Sequence, residues 1–380
     1  MTSNLGPVEL MVIQGSPFCN INCKYCYLPD RLNKKKISKD TVFKIIERLV
    51  QDNLLGKEIS FIWHAGEPLA VPLGFYQDLF SIISQCIPSS TQVHHHMQTN
   101  ATLLNDHWCT FIKEHDIKIG VSVDGPKELN DLNRLTRSGK STFTKVMNGI
   151  DHLKKHNIRF HTIAVITQEA LSHPNQIYDF FKSIGVTKLG LNIEEIEGIN
   201  TTSSLSLDPA SMQLLTNFYE VLYARQLDDN DPVIIRELDD AKRKILQIPL
   251  DYFSNHGITQ QNNPYQIISV DIDGNFTSYS PELLGQKDEQ YQDFILGNVH
   301  EESFLDAAEK PLFKTLRDDI FRGIRNCEKS CPYFSFCGGG APANKYYENG
   351  SFSSTETLQC RYSIQTPLEI ITRRLESAMP

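Results

Sequence analysis

No stretch of this 380-residue chain is apolar over the roughly 20 residues that a membrane-crossing helix needs. The basic excess that a phosphate-tracking surface requires is missing too. Lysine and arginine number 37 against 46 aspartates and glutamates, a net charge of −9, so nucleic acid is not expected as a main partner. The first ten residues, MTSNLGPVEL, have neither the basic nor the apolar region of a secretory signal. The expectation is a soluble, cytoplasmic protein with no membrane partner. There is no internal repeat and no low-complexity tract. With 40% hydrophobic and 22% charged residues the composition is ordinary for a globular chain, and the length suits one large α/β core with a smaller appended module.

What the chain does have is cysteine in groups. Of nine, Cys19, Cys23 and Cys26 stand together, Cys327, Cys331, Cys337 and Cys360 lie near the end, and Cys86 and Cys109 are alone. A reducing compartment points away from disulfides, so the two groups read as two metal sites and the two single cysteines as buried thiols on helices.

Between residue 8 and about 194, short apolar runs alternate with helical patterns, the order that places parallel strands under crossover helices. Strands are predicted at VELMVIQG, EISFIWHA, TQVHHHMQT, IKIGVSVD, RFHTIAVIT and KLGLNIEE, giving a partial (β/α)6 TIM-like barrel. Helices are predicted at SKDTVFKIIERLVQDNL with Ser38 as N-cap, at STFTKVMNGIDHLKKHN with Ser141, and at HPNQIYDFFKSIG, closed by Gly185. Cys19, Gly66, Asn100, Asp124 and Glu194 all follow strand ends, where parallel barrels keep their active sites. The expected division is a barrel over 1–200, a helical bridge over 201–262 and a C-terminal module over 263–380. That module would open with a hairpin turning at Asp273-Gly274 and close with a long helix. His94, His95 and His96 alternate faces on one strand and cannot all meet one metal. Lys34 to Lys36 read as a solvated basic loop.

A structural zinc site takes four ligands, and Cys19-x3-Cys23-x2-Cys26 offers three. Three thiolates on a cubane cluster leave one iron open to a small molecule, whereas a zinc loop would have to borrow a distant ligand. The CxxxCxxC spacing, with Tyr25 before the last cysteine, resembles the signature of radical S-adenosylmethionine enzymes. The resemblance implies a 4Fe-4S cluster whose open iron binds S-adenosyl-L-methionine, an external electron donor such as flavodoxin or ferredoxin, and cleavage to a 5'-deoxyadenosyl radical. His64-Ala65-Gly66-Glu67-Pro68 is similar to the family's GGEP motif with alanine in its first place, and SVDGP followed by Arg134 is similar to its DGPxxxHDxxR segment. By that likeness Gly66, Glu67, Asn100, Ser122, Asp124 and Arg134 are the cofactor contacts. Glu67 would accept a hydrogen bond from the cofactor's amino group or steady the loop, and for Asp124 a simple turn cap remains open.

Cys327-x3-Cys331-x5-Cys337, then Cys360, resembles part of the SPASM module of peptide-modifying members of this family. Two further cysteines of that pattern are replaced, by Ser278 and Ala341. The carry-over is one lost auxiliary cluster and one retained 4Fe-4S cluster on these four cysteines, with a four-thiolate zinc site as the alternative. Within the family the likeness is nearest to cyclophane-forming peptide maturases of the GrrM/OscB type. It implies a carbon-carbon cross-link between an aromatic side chain and a β-carbon of a ribosomal precursor peptide. The alternatives are an anaerobic sulfatase-maturing enzyme, which makes formylglycine from Cys or Ser, and a non-catalytic metal-binding scaffold. Restoring aromaticity needs a base; Glu282 is the first choice and Asp271 and Glu194 the others.

Overall fold

In the computed structural model, which describes residues 5–247 and 259–377, six strands run parallel in the order the periodicity predicts. In chain order the strands are β1 (Val8–Gln14), β2 (Ile21–Cys23), β3 (Leu55–His64), β4 (Gln92–Thr99), β5 (Lys118–Ser122), β6 (Arg134–Thr136), β7 (Phe160–Ile166), β8 (Lys188–Ile193), β9 (Ile234–Ile235), β10 (Ile267–Val270), β11 (Asn275–Ser278) and β12 (Gly297–Asn298). The sheet order β1-β3-β4-β5-β7-β8 is a partial barrel in which neighbours are joined by crossover helices. Ile13, Phe61, Trp63, Ile119 and Val121 are buried in its core, packed with helix residues such as Tyr76, Leu79 and Phe80.

The local signals work as expected at several helix ends. Ser38 Oγ accepts the Thr41 N–H at the start of Lys39–Gln51, and Gly185 follows the end of Pro174–Ser183 in a left-handed conformation. One end differs. The helix Phe143–Lys155 starts after Thr142, and Ser141 Oγ accepts the Phe143 N–H one position further out. Thr142 is buried, with its hydroxyl donating to Arg134 O, so tertiary contact takes precedence over the cap.

The expected hairpin is present, with Asp271 Oδ1 accepting N–H bonds from Asp273 and Asn275 across the turn and Gly274 at φ +86°. It does not found a sheet of its own. β10 pairs in parallel with β1, so β10, β11 and β12 extend the barrel sheet at one edge, while β9 extends it beyond β8. The bridge helices are Pro209–Asp228 and Arg236–Gln247; residues 248–258 of the expected bridge lie outside the described residues. The last helix is interrupted: Leu358–Cys360 leads through a π-helical turn, Arg361–Gln365, into Thr366–Ser377. Among the described residues no helix is long and apolar enough to cross a membrane.

Candidate active site and a four-cysteine cavity

The segment after β1 carries Cys19, Cys23 and Cys26 across the C-terminal ends of the parallel strands. It is clamped rather than free. β2 pairs antiparallel with β6, setting Cys23 opposite Arg134, and Arg137 Nη2 donates to Cys19 O at 2.8 Å. The three thiols line one cavity of about 230 Å³ together with Gly66, Asn100 and Arg134. Burial pushes Cys19 up to about 12 and Cys23 up to about 11, so as free thiols these side chains stay protonated and only a cation among them would make them thiolates.

Gly66 has a structural reason that the motif alone does not show. Its φ is +149°, and a Cβ there would lie 2.1 Å from Ser16 O and 3.1 Å from the Pro17 carbonyl carbon. The close approach is by the backbone of the cysteine segment, not only by a ligand. We expect Gly66→Ala to displace that segment and to lower the iron bound on anaerobic reconstitution by at least about a third of the total, measured per folded chain; unchanged iron would show that the contact is dispensable.

Glu67 is 2% exposed, and both carboxylate oxygens are occupied within the protein. Oε1 accepts from Leu69 N at 3.0 Å and Thr99 Oγ1 at 2.6 Å, and Oε2 accepts from Asn100 N at 2.9 Å. Of its two expected roles the geometry supports the second: it ties the loop after β3 to the end of β4. Burial raises its pKa to about 7. Asn100 Nδ2 donates to Asn20 Oδ1 at 2.9 Å and stands 3.8 Å from Cys19 Sγ. Ser122 Oγ accepts from Gln98 Nε2 at 2.8 Å at the cavity wall.

Asp124 and Arg134 form a buried pair at 2.9 Å. The Tyr25 hydroxyl donates to Asp124 Oδ2 at 2.6 Å and Val165 N to Oδ1 at 3.0 Å. Arg134 Nη1 reaches to 3.9 Å from Cys23 Sγ, and its guanidinium lies 5.5 Å from the Tyr25 ring centroid. Asp124 therefore braces Arg134 and the cysteine segment rather than facing the cavity, whose lining includes Arg134 but not Asp124. His64, at the end of β3, also lines the cavity; burial lowers its pKa to about 4, leaving a neutral imidazole whose Nδ1 has no partner among the described residues.

Of the three candidate bases, one reaches this cavity. Glu282, on the short turn Pro281–Leu283 after the hairpin, lines it. Asp271 is spent on the hairpin turn, and Glu194 Oε2 accepts the Ser204 N–H at 2.7 Å on the outside of the strand end. One residue further, beyond the end of β8, Glu195 lines the cavity, and so does Glu197. Asn344 Nδ2 spans both, at 3.3 Å and 3.1 Å from their Oε1 atoms. Glu197 and Asn344 escaped notice in the sequence because nothing local marks them; they meet across 147 residues.

Burial, then the charge of the other acids, raises Glu195 and Glu197, and burial raises Glu282. The folded protein thus retains protons that the unfolded chain gives up. This contribution to stability is present at acidic pH and is lost as pH rises from the ordinary carboxylate range toward about 8. Glu197→Gln should accordingly unfold at a temperature higher by at least about 2 °C at pH 8 and show little gain at pH 5, in thermal melts at both pH values. An equal change at both would refute it.

The second group of cysteines lines a separate cavity of about 440 Å³. Cys327 lies in the last turn of the helix Pro311–Ser330, Cys331 follows it, Cys337 ends Phe334–Cys337, and Cys360 precedes the π turn. Among the described residues no three His, Cys, Asp or Glu side chains are drawn together as a single ion would require. Ser278 is buried with its hydroxyl fully engaged, accepting from Tyr265 N and donating to Ile267 O, both at 3.0 Å. Tyr279 is fully buried against Phe313, with φ +72°.

The model of the Radical SAM superfamily matches residues 13–181. An uncharacterized protein of Synechocystis sp., sll1766, is 37% identical over 382 residues, covering 99% of this chain and 94% of that one. A cysteine-type anaerobic sulfatase-maturating enzyme of Clostridium perfringens is 28% identical over 354 residues, 88% of each chain. Among solved structures, anSMEcpe with bound AdoMet and the Cp18Cys peptide superposes with TM-score 0.76 at 24% identity, covering 97% of this chain and 98% of that one. Streptococcus suis SuiB bound to the precursor peptide SuiA gives 0.64 at 18%, covering 94% and 77%. Both likenesses are of fold. With the cysteine segment at the mouth of a partial parallel barrel and the family match running from β1 through the helix that follows β7, the chain belongs to the radical SAM superfamily and is an enzyme of that superfamily.

Proposed function

We propose that this enzyme is a peptide maturase that forms a carbon-carbon cross-link between an aromatic side chain and the β-carbon of a nearby residue in a ribosomal precursor peptide. The observation that carries the reading is that three cluster-spaced thiols share one cavity with Glu195, Glu197 and Glu282, the second buried and the other two half-buried, so hydrogen-atom removal and proton acceptance share a site. Cys19, Cys23 and Cys26 would hold a 4Fe-4S cluster, which with S-adenosyl-L-methionine would supply a 5'-deoxyadenosyl radical for removing a hydrogen atom from the peptide. Its donor set fits: three sulfurs, no fourth cysteine in the lining, and Arg134 and Asn100 beside them. The chain's own residues do the rest. Arg134, braced by Asp124, offers a fixed positive charge suited to a carboxylate. Glu67 keeps the ends of β3 and β4 in register. Glu282 takes the ring proton that must leave once the new bond has formed, with Glu195 and Glu197 beside it to hold or pass it on. The electron lost in the same step goes to an acceptor, and a 4Fe-4S cluster on Cys327, Cys331, Cys337 and Cys360 would be suited to it.

The second reading, sulfatase maturation, is favoured by the near full-length likeness to the Clostridium perfringens enzyme and needs the same cavity. Mass spectrometry separates the two. Peptides encoded beside the gene and co-expressed with the enzyme should lose two hydrogens. Oxidation of serine to formylglycine gives the same mass change, so the product must also fail to react with a hydrazine and must resist fragmentation between the joined residues. A hydrazine adduct would select the second reading. Anaerobic reconstitution should give about eight iron per chain and no appreciable zinc, from two four-iron clusters. About twelve would mean that the site marked by Ser278 and Ala341 is not lost.

A further inference from the structure

Two side chains in the C-terminal cavity aim hydrogen-bond donors at sulfur. Lys345 is 3% exposed, and its Nζ lies 3.2 Å from Cys327 Sγ. Gln365 is 2% exposed, and its Nε2 lies 3.1 Å from Cys360 Sγ.

Each is placed by the surrounding fold. Gly323, on Pro311–Ser330, makes room for the ammonium: a Cβ there would stand 3.2 Å from Lys345 Nζ and 2.1 Å from Phe352 O. Gln365 closes the π turn Arg361–Gln365, whose five-residue spacing returns its amide over Cys360. That amide is held from two more directions, donating to Glu356 Oε1 at 3.1 Å and accepting from Arg361 Nη1 at 2.5 Å. Glu356 and Arg361 are 3.7 Å apart and offset each other. Lys345 is different. Among the described residues its ammonium makes no ion pair with a carboxylate, and Cys327 Sγ is its hydrogen-bond acceptor. A buried ammonium needs an opposite charge, and here the sulfur ligands are what the fold offers it.

We infer that Lys345 and Gln365 set the reduction potential of a cluster on these four cysteines, raising it above that of the same cluster in neutral surroundings without donors. The inference rests on the reading that the four cysteines hold a 4Fe-4S cluster. The reduced form of a four-thiolate cluster carries one more negative charge than the oxidised form. A fixed positive charge and N–H···S bonds at two of the four ligand sulfurs therefore favour the reduced form. Such a cluster accepts an electron more readily, which is the demand that the loss of an electron from a substrate radical makes. Lys345 and Gln365 are positioning residues: they act on the ligands and touch no substrate.

The test is an EPR-monitored redox titration of the C-terminal cluster in the full chain, in a Cys19→Ala, Cys23→Ala, Cys26→Ala background so that one cluster alone is read. Lys345→Met should shift the ratio of reduced to oxidised cluster at a fixed potential at least tenfold toward oxidised, a fall in midpoint of about 59 mV for one electron. Lys345→Gln, which keeps a donor without the charge, should fall part of the way, and Gln365→Leu should fall by less than Lys345→Met. Unchanged midpoints in Lys345→Met and Gln365→Leu, with the cluster's iron retained, would overturn the inference and leave the cluster intact as a reading. If Lys345→Met binds no iron, Lys345→Gln and Gln365→Leu decide in the same way. Zinc in place of iron, or no reducible signal, in the background protein itself would overturn the cluster reading and this inference with it.

Discussion

Replacing Cys19, Cys23 and Cys26 together by alanine should abolish cleavage of S-adenosyl-L-methionine and leave about half the iron of the wild type. The physical reason is division of labour between two cavities. The first is formed by a segment clamped to Arg134 and Arg137, and its three sulfurs have no neighbouring side chain to replace them. The second is built from Cys327, Cys331, Cys337 and Cys360 on elements that do not share the first cavity's walls. Removing the first set should therefore leave the second loaded. Anaerobic reconstitution followed by iron determination and chromatographic assay of 5'-deoxyadenosine checks both halves. Retained cleavage would show that the reactive cluster lies elsewhere. Loss of all iron would show that the two cavities do not load independently.

Glu282→Gln should separate two chemistries that the wild type couples. Formation of 5'-deoxyadenosine should continue, because the cysteine segment is held by Arg134 and Arg137, while cross-linked peptide should fall by about 100-fold, the usual scale for loss of a positioned base. Glutamine keeps the shape and removes the proton acceptor. The pH dependence has a definite sign. Burial raises the Glu282 pKa, so ionised base becomes scarcer as pH falls, and wild-type cross-linking should decline toward acidic pH over a range above the ordinary carboxylate one. The variant's residual rate should lack that limb. Normal product from a folded, fully loaded variant would dismiss Glu282 and turn attention to Glu195 and Glu197, which share the cavity, rather than to Asp271 or Glu194, which do not.

That exchange shows where reading the chain stops being informative. Glu194 and Glu195 are adjacent and close the strand predicted as KLGLNIEE; in the structure β8 ends at Ile193, and Glu194 is taken up by Ser203 and Ser204 in the loop that follows, a contact that no local signal marks. Glu197 and Glu282 lie 85 residues apart and meet because the hairpin β10-β11 adds to the edge of the barrel sheet, a pairing between β10 and β1 that no local signal encodes. Gly66 was legible as a residue type, but its reason, the carbonyl of Ser16 where a side chain would begin, depends on how the cysteine segment folds back over β3.

The residues alone determined the six parallel strands, the helix caps at Ser38 and Gly185, the turn at Asp273-Gly274 and the two cysteine groups. Each of these depends on side chains within a few positions of one another, so periodicity, cap chemistry and spacing suffice. Only the tertiary structure decided which acids line the cavity, that Asp124 braces Arg134, and that Lys345 and Gln365 reach sulfur. Buried charges and polar groups must find partners, and in a fold whose sheet joins β10 to β1 those partners come from segments far apart in the chain.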